Sequence, residues 1–154
     1  MQGRTFLTLL SRLNGITIAD IQTRALWPEV RCFNTTIVGA CVLDDYLVGS
    51  GMMGMIERMF VDISLWIGRG IVARGWLAPE QVIHYNVHED LDVKHSKDFF
   101  DVLQPAWEEN VRNRYFIHQG LSLGAHIFNN LYKGLYEARK RRDFVDPKIL
   151  PQEL

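Results

Sequence analysis

The stretch His84-Tyr-Asn-Val-His88-Glu-Asp-Leu-Asp92-Val-Lys-His95 gathers three imidazoles and several carboxylates into twelve residues. Pro79 and Glu80 ahead of it are helix-start signals, and neither Gly nor Pro interrupts before Pro105, so a helix is predicted over roughly 79–103. At about 100° per residue, Asp92 lies about 40° to one side of His88 and His95 about 20° to the other, with His84 on the same stripe. Neutral imidazole and carboxylate suit iron, manganese or zinc, and one rigid helix holds them in register without ordering a loop. The plain alternative is a polar face of solvated side chains, since His, Asp and Glu are ordinary surface residues.

A second carboxylate with chemical potential is Glu57, in Gly54-Met-Ile-Glu57-Arg-Met-Phe60. Its neighbours at helical spacing are Gly54, Val61 and Ser64, which points the side chain toward an apolar interior. A carboxylate there needs a partner, because an isolated buried charge costs several kcal/mol. Arg58 or other basic groups can supply one; a metal ion is the other solution. Asp62 and the Asp44-Asp45 pair read as solvated or capping residues, and His118 and His126 as surface or polar core positions rather than ligands.

The elements that must position these residues all read as helices. Residues 5–13 form a short one with Phe6, Leu9, Leu10 and Leu13 on one face, stopped by Asn14-Gly15, and Thr17 caps a second that gives out before Pro28. Pro28-Glu29 opens a long apolar helix carrying Val30, Phe33, Ile37, Val38, Cys41, Val42 and Tyr46. A break is expected at Gly49-Ser50-Gly51, where each glycine costs about 1 kcal/mol. Residues 52–74 then form a helix apolar around its circumference, hence buried. Pro105 is expected to open a last helix over 105–142, with Trp107, Val111, Tyr115, Leu121, Ile127, Leu131 and Leu135 facing the core. Its basic end, 139–142, complements the helix dipole. Residues 143–154 read as an extended tail. No strand, repeat or linker signal stands out, so the expectation is a single all-α domain over 1–154.

Composition narrows the function. With 47% apolar and 23% charged residues the chain is an ordinary globular domain, and a net charge of −1 offers no attraction to nucleic acid or anionic lipid. The apolar run 37–43 is too short to span a membrane. Cys32 and Cys41 fall on different faces of one helix and cannot pair there. With no signal peptide read at the start, a reducing cytoplasm is the expected location.

The pattern His88-x3-Asp92-x2-His95, with Glu57 about thirty residues earlier on a glycine-spaced helix, resembles the heme-oxygenase-like diiron oxidases, or iron-containing redox enzymes. The wider superfamily includes the TenA-like thiaminases, the pyrroloquinoline quinone synthase-like proteins and the chlamydial protein associating with death domains. This resemblance implies a helical bundle of the heme-oxygenase-like (TenA-like) type with two irons between its core helices. Glu57, His88, Asp92 and His95 would be metal ligands, and the chemistry would be activation of O2 at Fe(II), with Mn possible, to oxidise a small organic substrate. The family also takes a Glu and a His from an earlier core helix, whereas here no Glu precedes Glu29 and no His precedes His84.

The bundle is therefore expected to be N-terminally incomplete: the chain is a fragment or has a misplaced start, its missing helices come from another chain, or its site is reduced to the four residues present. An apolar groove left by missing helices predicts a homo-oligomer or a partner that supplies them. Two alternatives stand beside the iron oxidase: a metal-free TenA-like or quinone-synthase-like enzyme or binding protein using the same residues for acid–base work, and a non-catalytic helical fragment that binds a partner chain.

Overall fold

A computed structural model describes residues 27–138 and 140, apart from the side chains of Glu89 and Asp90. The expected helices before Pro28 and the tail over 143–154 lie outside these residues, as does most of the basic run 139–142. Among the described residues the protein is all-α: α1 Pro28–Leu43, α2 Tyr46–Ala73, a short 3-10 turn Pro79–Gln81, α3 Ile83–Glu109 and α4 Val111–Ala138. None of these helices is long and apolar enough to cross a membrane.

Local chemistry accounts for the boundaries. Proline stands in the first turn of α1, where its missing N–H is no loss. The Asp45 carboxylate accepts from the Leu47 N–H at 2.9 Å and so caps α2. At the other end Gly75 adopts φ +66°, and Gly75 N–H and Trp76 N–H close back on the carbonyls of Val72 and Ile71. That reversal needs the left-handed region, which glycine enters freely. Asn110 caps α4, its side-chain oxygen accepting from the Asn113 N–H at 2.8 Å.

Two expected boundaries move. The chain breaks at Asp44-Asp45, not at Gly49-Ser50-Gly51, which lies inside α2. A Cβ on Gly49 would stand 3.3 Å from the Ala40 carbonyl oxygen, and one on Gly51 3.0 Å from that of Ile117. These glycines therefore admit α1 and α4 rather than ending a helix, and the packing gained offsets their poor propensity. Pro105 likewise sits within α3. Proline deprives the Asp101 carbonyl of a partner, but residue 101 is exposed and water can replace the bond, whereas Asn110 offers a true cap.

α2 is the central element. Its Gly54 faces Phe99 and Phe100 and its Gly68 faces Tyr85 and Val82, so α2 and α3 run antiparallel. Gly120 meets Val48 and Gly124 meets Met52, so α2 and α4 run parallel. α1 returns across both, with Phe33 against Phe128. One apolar cluster joins Ala40, Met52, Ile56, Ile127 and Phe128 across α1, α2 and α4; another joins Leu47, Leu103 and Ile117 across α2, α3 and α4.

The inward stripe of α4 is Ile117, Gly120, Gly124, Ile127, Phe128 and Ala138. Val111, Tyr115 and Leu135, expected inside, are exposed, because the glycines choose the face that can approach α2; Trp107, expected with them, falls on α3 and is exposed too. Nor is α2 buried all round, since Trp66 is 75% exposed. Cys32 and Cys41 are free and exposed.

Candidate metal centre

The middle of the α2–α3 seam lies between the two apolar clusters, with Phe60 packed on the first and Phe100 on the second. There Gly54 lets Phe99 and Phe100 close in, a Cβ at that position standing 2.9 Å from the Phe99 Cβ. One turn further along α2, Glu57 is brought against α3 and meets Asp92 and His95. One donor atom from each of Glu57, Asp92 and His95 lies within 4.8 Å of the others.

His95 Nδ1 stands 3.7 Å from Glu57 Oε2 and 3.9 Å from Asp92 Oδ1. Both separations are long for hydrogen bonds. Donors held about 2.1 Å from a common transition-metal ion stand roughly 3–3.4 Å apart, so a small inward movement satisfies the fit.

Asp92 is the most demanding member of the group. It is 0% exposed. Its Oδ1 is 2.8 Å from His88 Nδ1, while its Oδ2 is buried and has no hydrogen-bond partner. Such an oxygen costs free energy unless something positive meets it. Beside it the Glu57 carboxyl is held above the ordinary glutamate range, first by burial, then by the negative charge of Asp92 and by the hydrogen bond that a protonated Glu57 can give Asp92, with His95 and His88 pulling the other way. Two carboxylates and an imidazole in this relation can hold a divalent cation. Without one, they can retain a proton on Glu57.

His88 touches this group through Asp92 and is not one of its three convergent donors. Its ring is set edge-on to Phe60, centroids 5.5 Å apart, and lies 4.5 Å from the tilted ring of His84. His84 therefore stands behind His88, and burial, then the His88 charge, lowers its pKa.

Ser64 is also fully buried on α2, its Oγ without a hydrogen-bond partner. Arg58 does not serve Glu57; it reaches Asp62 at 3.8 Å on the exposed side. His118 is exposed, and His126 makes an exposed contact with Asn130 at 2.8 Å. Phe60 is the neighbour that the sequence reading did not single out. The available signal was its position three residues after Glu57, one helical turn along the same face.

Comparison of the chain with protein-family models, with curated proteins and with solved structures found no match. The resemblance to the diiron oxidases rests on Glu57, His88, Asp92 and His95 themselves.

Proposed function

We propose that this chain binds a divalent transition-metal ion, Fe(II) in its working form, in the α2–α3 seam and uses it with O2 to oxidise a small organic substrate. The observation that carries this reading is Asp92, fully buried with one oxygen unpartnered, facing Glu57 and His95. The donor set fits: hard carboxylate oxygens and one imidazole suit Fe(II) or Mn(II), and this mixture does not favour one of them strongly. Glu57, Asp92 and His95 would hold the ion. Bound Fe(II) supplies electrons to O2.

Around it the chain's own residues do recognisable work. Asp92 is fully buried, which strengthens its attraction for a cation, while Glu57 and His95 keep 22% and 43% of their side chains exposed and leave the group open on one side. A cation between Glu57 and Asp92 would offset the repulsion of their two negative charges, which is part of what raises the Glu57 pKa. Three donors suffice for one ion, and among the described residues no second group of three converges. A dinuclear centre of the heme-oxygenase-like type would draw its further donors from elsewhere.

An anaerobic Fe(II) titration tests the reading. One equivalent retained by the wild type, lost in Asp92→Ala and followed by O2 uptake, is the expected result. Failure of the wild type to retain iron, or equal retention by Asp92→Ala, overturns it. The metal-free acid–base reading draws on the raised Glu57 pKa; it gains if activity on a substrate survives exhaustive chelation. Exposed Leu43, Trp66 and Trp76 keep self-association in the proposal, and a clean monomer by light scattering counts against it.

A further inference from the structure

We infer that His88 is a positioning residue of the candidate centre, holding Asp92 in place, and not a fourth ligand. This rests on the metal-binding reading above and departs from the role that the sequence motif suggests for it. Three observations carry it. His88 Nδ1 is committed to Asp92 Oδ1 at 2.8 Å, while the convergent donor group is complete without His88. The ring is constrained on other sides by the edge contact with Phe60 and by His84. Finally, engaging Oδ1 singles out Oδ2 as the unpartnered oxygen of a fully buried side chain.

The physical consequence is a division of labour along one helix. His88 and Asp92 are four residues apart and lie on neighbouring turns, so their bond forms within α3 and needs no loop. By donating Nδ1–H to Oδ1, His88 opposes rotation of the carboxylate and so fixes both of its oxygens: Oδ1, which also stands 3.9 Å from His95 Nδ1, and the unpartnered Oδ2. His95, three residues beyond Asp92, has no comparable short bond; its Nδ1 stands 3.7 Å from Glu57 and 3.9 Å from Asp92. One histidine orients a donor, and the other is a donor.

Such supporting hydrogen bonds are typically worth on the order of 10–100-fold in metal affinity. They can be told from ligation by side-chain shape. The amide nitrogen of Asn occupies nearly the place of imidazole Nδ1 and donates a hydrogen bond there, but it is a poor metal ligand. The experiment is a Co(II) titration of the whole chain, followed by visible absorption, on wild type, His88→Ala, His88→Asn and His95→Asn, with a metal-free thermal melt of each to establish folding.

His88→Ala should weaken Co(II) binding on the order of 10–100-fold. His88→Asn should return affinity to within about threefold of wild type, with an unchanged Co(II) spectrum, as expected when only a supporting hydrogen bond is replaced. His95→Asn should not be rescued in this way. If His88→Asn loses as much affinity as His95→Asn, or its spectrum reports a lost nitrogen ligand, His88 is a ligand and the inference fails while the metal site stands. If His88→Ala binds as tightly as wild type, His88 does not position Asp92. If the folded wild type takes up no Co(II), the metal-binding reading itself falls, and this inference with it.

Discussion

α2 presents two seams built on opposite principles. Toward α4 it packs backbone to backbone: a methyl on Gly120 would overlap the Val48 carbonyl oxygen, and one on Gly124 would come 2.5 Å from that of Met52. Its seam with α3 holds Glu57 from α2 and Asp92, His88 and His95 from α3. The first seam is set by close backbone approach. The second holds a buried Asp92 oxygen without a hydrogen-bond partner, at a cost in stability that a bound cation would offset. Sites that bind commonly depart in this way from the packing that stabilises the rest of a fold.

The largest effect that separates the seams should come from Gly120→Ala. Backbone atoms must move to admit the methyl, and overpacking of this kind costs about 3 kcal/mol. Gly39→Ala is the control: nothing lies within 4 Å of the added Cβ, and Ala in a helix interior should stabilise by about 0.5–1 kcal/mol. Urea denaturation of the two variants reads the contrast directly. Equal effects would dissolve the distinction.

Next in size is the response to metal. Ligand that binds only the folded state at about 100 times its Kd adds about 2.7 kcal/mol, so Co(II) should raise the melting temperature of wild type and of Gly39→Ala but leave Asp92→Ala unmoved. A rise in Asp92→Ala as large as in wild type would place binding elsewhere.

Without metal, the α2–α3 seam should be its own weak point. Folding raises the Glu57 pKa above its ordinary 4.5, so the folded chain holds that proton more tightly than the unfolded one. This contribution to stability is full below the ordinary value and declines as pH rises through the raised folded value. Glu57→Gln should remove that decline and stabilise the metal-free protein near neutral pH by roughly 0.5–2 kcal/mol, while abolishing metal uptake. Parallel stability–pH curves for variant and wild type would show that the carboxylates do not oppose one another.

The smallest effect is expected at Tyr132 on α4. Its phenol is pushed up from 10.0 to about 12, by burial first and then by Tyr85 on α3. Its protonated form should therefore stabilise the fold below pH 10, with the contribution fading as pH rises toward about 12. Ultraviolet titration should find Tyr132 ionising late in wild type, beside a raised Tyr85, and that last phase missing in Tyr132→Phe.

Much of this was legible before any coordinates. Helical register is local, set by about 3.6 residues per turn, so the common stripe of His88, Asp92 and His95 follows from spacing alone. The cap role entertained for Asp45 is also local. Glycine was less legible. The pair Gly49 and Gly51 reads as a break in one dimension and as a close approach in three, because propensity counts the cost of glycine but not the neighbour it admits. Pro105 misled for a similar reason: its lost hydrogen bond matters less where the carbonyl left over faces water.

The amino-acid sequence by itself determined that the chain is helical and that nitrogen and oxygen donors share one face of α3. Only the tertiary structure decided that Glu57 meets Asp92 and His95, that Arg58 turns away to Asp62, and that His88 engages Asp92 and stays out of the three-donor group. The reason is the range of the forces involved. Turn-to-turn geometry is written into neighbouring residues, whereas the meeting of residue 57 with residues 92 and 95 depends on how α1 and α4, through Gly49, Gly120 and Gly124, seat α2 and leave one of its faces to α3.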